Sequence, residues 1–140
     1  MRKRIYRIAS LALLVACSAD TTFVSDTNLQ TGIYTAVLFR ITSDGEPTKD
    51  VLLAEGSLTI SIDRNGGTAG SLVLPAGFPG GPVTLPMTGS ATITGLTVQF
   101  NQTNDSFVRQ VTWNRVGTAL QILNQRLGTA VYDVTLTRQF

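Results

Sequence analysis

The chain has 140 residues, 43% of them hydrophobic, 14% charged and 7% aromatic, with 13 Gly, 5 Pro, one Cys and no His. That length holds about one domain, and a charged fraction well below the usual value of about a quarter excludes a disordered tail, a coiled coil or a long solvated helix. Without His and with a single Cys there is no His-based triad, no Cys/His zinc site and no internal disulfide. The net charge of +2 taken alone hints at an anionic partner.

The amino terminus carries the most specific pattern. Met1 to Arg7 holds Arg2, Lys3, Arg4 and Arg7, and Ile8 to Ala16 is an uninterrupted run of small and apolar residues. Nine helical residues extend about 14 Å, half the hydrocarbon thickness, so this segment reads as a secretory signal and not as a membrane span. It ends Leu14-Val15-Ala16-Cys17, which resembles the lipobox of bacterial lipoproteins. The resemblance implies cleavage before Cys17 and attachment of lipid to its thiol and new amino group, which makes the membrane a partner through Cys17. Two or three acyl chains on one residue hold a protein far more firmly than a single marginal chain. A signal cut after Ala19, which discards Cys17, and a free thiol are the alternatives. Ser18 after the cysteine leans toward the outer membrane. The chain therefore divides into a signal at 1–16, a lipidated tether at 17–30 and a domain at 31–140. The tether is rich in Ser, Thr, Asp and Asn and has a typical reach of about 20 Å; Phe23-Val24 could instead open an edge strand.

From Thr31 onward the period is two, the mark of strands with one buried face. In the first strand Ile33, Val37, Phe39 and Ile41 share one parity while Tyr34, Ala36 and Leu38 share the other. Leu58, Ile60 and Ile62 alternate with Ser57, Thr59 and Ser61, and Arg64-Asn65-Gly66-Gly67 supplies a hairpin turn into Thr68 to Leu74. Pro75 to Gly89 holds four of the five prolines, which excludes a long central strand; Val83-Thr84-Leu85 forms a short edge strand within it. A hairpin at Thr94-Gly95, placing Ile93 opposite Leu96, is preferred over a bulge in one continuous strand. The spacing next predicts a strand over Phe107 to Val116, a tight turn at Gly117-Thr118, a strand over Ala119 to Leu123, a connection over Asn124 to Gly128 and a closing strand over Thr129 to Phe140. Gln121 to Leu127 is the one stretch that could coil.

Eight or nine short strands joined by local hairpins predict an all-β, antiparallel up-and-down barrel of about eight strands, with a β-sandwich as the alternative. The first and last strands are equally long and well patterned, as expected if they pair. The lipobox signal, Gly32-Ile33-Tyr34 opening the first strand, the Asn-Gly turn and the closing Val-Thr-Leu-Thr-Arg strand resemble the small bacterial lipocalin-like lipoproteins. The resemblance implies an eight-stranded barrel in which Gly32 and Tyr34 pack with Arg138 at the closed end; Tyr34 stands where true lipocalins carry Trp.

Two function classes follow. One is a lipid-anchored module binding a small apolar ligand, with Phe39, Phe100 and Trp113 as candidate lining residues and Arg109 and Arg115 as a polar mouth beside Trp113. The other is a structural or interaction module of the cell envelope, contacting its partner through the Pro75–Gly89 loop around Phe78; that partner is unknown from sequence. Catalysis is not expected. Glu55, Asp63, Asp105 and Asp133 occupy turns or alternation positions where solvated carboxylates belong, and no nucleophile motif accompanies them. No cofactor, metal or nucleic acid is expected. Removal of residues 1–16 leaves seven basic residues against nine acidic ones, so the basic pI belongs to the targeting segment.

Overall fold

A computed structural model describes residues 31–140; the signal, Cys17 and the tether lie outside the described residues. The strands are β1 (Gly32–Ser43), β2 (Lys49–Asp50), β3 (Ser57–Ile62), β4 (Gly67–Leu74), β5 (Val83–Pro86), β6 (Gly89–Thr94), β7 (Thr97–Gln102), β8 (Thr112–Val116), β9 (Ala119–Leu127) and β10 (Ala130–Gln139), and one short helix, α1 (Phe107–Gln110), precedes β8. Every pairing is antiparallel, and β10 returns to pair with β1 along most of its length. The result is a closed, lipocalin-like barrel of eight strands with β2 and β5 as additions. Closure removes the exposed edges that a sandwich would keep.

The alternation read from sequence is the alternation of burial in β3, where Leu58, Ile60 and Ile62 point inward. In β1 the parity changes partway. A bulge between Ala36 and Leu38 sets an extra residue, Val37, against β10, which flips the inward side from Tyr34 and Ala36 to Phe39 and Ile41. Val37 is consequently 56% exposed and Ile33 is also exposed, correcting their placement on one core face with Phe39.

Three further segments differ from expectation. Phe107 to Gln110 forms α1 instead of the start of a strand, because Phe107, Val108 and Val111 all bury apolar side chains that a strand would send to opposite faces. β9 continues to Leu127, leaving Gly128-Thr129 as the turn. Asn124 marks a bulge and no turn: its φ of 52° is one that Asn tolerates, and its amide donates to Asp133 Oδ1 at 2.6 Å. The β6–β7 hairpin exists, but its turn is Gly95-Leu96, so Ile93 faces Val98 and Leu96 projects outward.

β5 and β6 behave as one bent strand along β4. β6 pairs with Gly67 and Thr68, β5 pairs with Ser71 to Leu74, and between them the Met87 amide donates to the Gly70 carbonyl at 2.9 Å. A Cβ on Gly70 would come within 2.0 Å of the Thr59 carbonyl oxygen; this close approach requires glycine.

The two barrel ends are unlike. At the base are the start of β1, the end of β10 and the tight turns β3–β4, β6–β7 and β8–β9. At the mouth are the long loops and α1. The interior is apolar, with Phe39, Phe100, Trp113, Leu58, Ile60, Leu120 and Leu136 fully enclosed, whereas Thr59, Ser61, Thr92, Asn101, Thr112 and Asn114 line the outside. This is the reverse of a barrel that crosses a bilayer.

A candidate ligand pocket at the barrel mouth

α1 enters the mouth like a stopper. Phe107 stacks on Tyr132 at 4.8 Å with 21° between the rings and lies 5.5 Å from Phe39. Below it Phe100 and Trp113 meet edge to face at 5.9 Å, and the indole Nε1 donates to the Val108 carbonyl at 3.3 Å. The stopper does not fill the end completely. A pocket of about 450 Å³ remains between β4 and β5 on one side and α1 with the β9–β10 turn on the other.

Its walls are mixed, with the apolar part made by Leu72 and Leu74 from β4, Val83 and Leu85 from β5, Pro79 from the preceding loop, Leu127 from β9 and the Phe107 and Tyr132 rings, and the polar part nearly as large. Burial pushes the Tyr132 phenol above its ordinary value of 10.0, so it stays protonated and able to donate. Three polar side chains interrupt the wall. Gln110 Nε2 donates to Asp105 Oδ1 at 3.2 Å, and the Ser106 hydroxyl is buried with no hydrogen-bond partner. Ser106 stands at the N-cap of α1, but its side chain does not cap the helix. An apolar cleft with a few convergent polar groups is the usual form of a small-molecule site, and this one sits in the lower part of the common range of about 300–1,000 Å³.

Phe39, Phe100 and Trp113 lie in the packed interior beneath this pocket and do not line it; Phe39 and Trp113 touch the lining residue Phe107, and Phe100 packs on Trp113. Trp113 is wholly enclosed, and Arg115 lies at the base beside the β6–β7 turn, so these two frame no mouth. Gly32, Tyr34 and Arg138 are brought together at the base: Tyr34 and Arg138 are register partners, and a Cβ on Gly32 would come within 2.7 Å of Arg138 Nε. Burial raises the Tyr34 phenol pKa against the opposing pull of the Arg138 and Arg115 guanidinium groups.

Among the carboxylates, Asp63 accepts the amides of Asn65 and Gly67, both at 2.8 Å, and Asp133 accepts that of Asn124. Both organise backbone. Among the described residues no group of three or more His, Cys, Asp or Glu is placed to hold a metal ion. Phe78 is buried and packs against the core, so the Pro75–Gly89 loop does not present an aromatic tip.

The pocket residues come from β4, β5 and the loop before it, the segment around α1, the end of β9 and β10, and Ser106, Phe107, Gln110 and Tyr132 carried no functional signal in sequence. The one available cue was Asp105-Ser106 ahead of Phe107-Val108, a helix-start composition directly before an expected strand. No family model, curated protein or solved structure matches the chain. What defines its class is therefore the architecture itself, a closed lipocalin-like antiparallel barrel with an apolar interior and a pocket at one end.

Proposed function

We propose that this protein is a lipid-anchored lipoprotein of the bacterial cell envelope, exported and held at the outer membrane through Cys17, whose barrel binds a small, largely apolar molecule at its mouth without transforming it. The observation that carries the binding reading is the pocket itself, part apolar and part polar, with Ser106 among the residues that line it. The Ser106 hydroxyl is buried without a partner, at a cost of about 1–3 kcal/mol, and a ligand with one polar head group and an apolar body that drew this hydroxyl toward the pocket would offset that cost while covering the leucines. The anchor reading rests on the Leu14-Val15-Ala16-Cys17 pattern directly behind a signal-like segment.

Titration with the apolar dye N-phenyl-1-naphthylamine tests the pocket. The wild-type chain is expected to enhance its fluorescence saturably, and Leu85→Trp, which fills the pocket from β5, is expected to abolish that enhancement while leaving the far-ultraviolet circular dichroism unchanged. Equal enhancement by both proteins refutes the site. Loss of membrane fractionation in Cys17→Ala tests the anchor; a variant that still fractionates with membranes refutes it.

A further inference from the structure

The barrel base carries a second surface. Four exposed large apolar side chains, Ile33, Leu96, Val116 and Phe140, project from the last rungs at this end. Leu96, 68% exposed, is joined to the β8 end through its carbonyl, which accepts the Arg115 amide at 2.7 Å. With them are three arginines: Arg64 in the β3–β4 turn and Arg115 and Arg138, whose inward parity brings their charge close enough to Tyr34 to oppose the rise in its pKa. Asp63, in the same turn as Arg64, accepts two backbone amides at Oδ1 and keeps one negative charge at this end, against three positive ones. The mouth is of mixed charge: Arg40, Lys49 and Arg126 are in ion pairs with Asp50, Glu46 and Asp44, Arg109 is exposed on α1, and Glu55 and Asp105 lie in the surrounding loops.

We propose that the base is a docking surface for an anionic phospholipid membrane, with the apolar side chains entering the interface, the exposed Arg64 meeting lipid phosphates and the half-buried Arg115 adding to the positive field at that end. Apolar side chains interspersed with basic ones are the composition that binds such interfaces. The occupant is identified by where the chain enters. The described domain begins at Thr31 and Gly32, on the base, so a tether running back to Cys17 delivers this end to the bilayer. Its typical reach of about 20 Å is shorter than β1, whose twelve residues extend about 40 Å. The base is thereby held near the lipid and the mouth, with its pocket, turned outward. This inference rests on the anchor reading above.

The test uses the full chain, produced in a bacterial host so that the signal is processed, carrying Leu96→Cys or, as a mouth control, Leu53→Cys at a site 85% exposed. Each is labelled with an environment-sensitive thiol dye and reconstituted into phosphatidylethanolamine/phosphatidylglycerol vesicles. A blue shift of the dye at position 96 but not at 53, reduced by raised salt and by Arg64→Gln with Arg115→Gln, is the expected result. No shift at 96, or equal shifts at both ends, overturns the proposal. A shift at 96 that needs envelope protein and does not occur with lipid alone also overturns it. Intact mass reads acylation of Cys17 separately: an unacylated chain refutes the anchor, and the same vesicles mixed with a dye-labelled Cys17→Ala version still decide whether the base binds lipid.

Discussion

Ser106 is where polar chemistry and an apolar wall meet. Its hydroxyl is buried and lacks a partner, and the residue is among those that line the pocket, so its removal should separate folding from binding. Ser106→Ala is expected to leave the thermal midpoint unchanged or slightly raised. It should also weaken a polar-headed ligand about tenfold, the equivalent of about 1.4 kcal/mol for one lost hydrogen bond. Calorimetric titration of both proteins with the same ligand checks this, and equal affinities would remove Ser106 from the site. Phe107 has a different role. Packed between Tyr132, Phe39 and Trp113, it joins the pocket to the core, and Phe107→Ala is expected to cost about 3–5 kcal/mol in denaturant unfolding.

At the scale of elements, the bulge at Val37 is what lets both halves of β1 face inward. Deleting Val37 closes the bulge and leaves Tyr34, Ala36, Phe39 and Ile41 all facing inward, whereas deleting the outward-facing Arg40 turns either Ile41 or Phe39 toward solvent. At about 1.5–3 kcal/mol per large apolar side chain, the Arg40 deletion should cost a few kcal/mol and the Val37 deletion clearly less. Denaturant unfolding of both variants checks the pair, and a Val37 deletion as damaging as the Arg40 deletion would contradict the register. The same residues explain what sequence could reveal. β3 was legible because only one of its parities is apolar. In β1 both parities are apolar, so nothing in the pattern marks the bulge. Asn124 carries a turn signal that is spent on a bulge, because pairing with β10 continues past it to Leu127. The pocket was not legible at all: Leu85, Ser106 and Tyr132 become neighbours only when β10 closes on β1.

On the scale of the whole molecule, the barrel is a packed core open at one end. Tyr34 near the base and Tyr132 at the mouth both have phenol pKa values raised by burial, and this fixes the alkaline limit of stability. An acid whose pKa is higher in the folded than in the unfolded chain contributes stability that is fully present below the unfolded value of 10.0. That contribution is lost as pH rises through the folded value. The thermal midpoint should therefore fall above about pH 10, less steeply in Tyr132→Phe, and a flat alkaline profile in wild type would contradict the burial of these phenols.

The claim that the mouth pocket holds a small molecule is tested most directly by native mass spectrometry of the protein purified from its own host under mild conditions. The predicted result is a noncovalent mass increment of one small molecule above the acylated chain, released on activation and missing from Leu85→Trp. A wild-type spectrum showing only the bare polypeptide and its acyl groups, from protein that also fails to take up N-phenyl-1-naphthylamine, would contradict it.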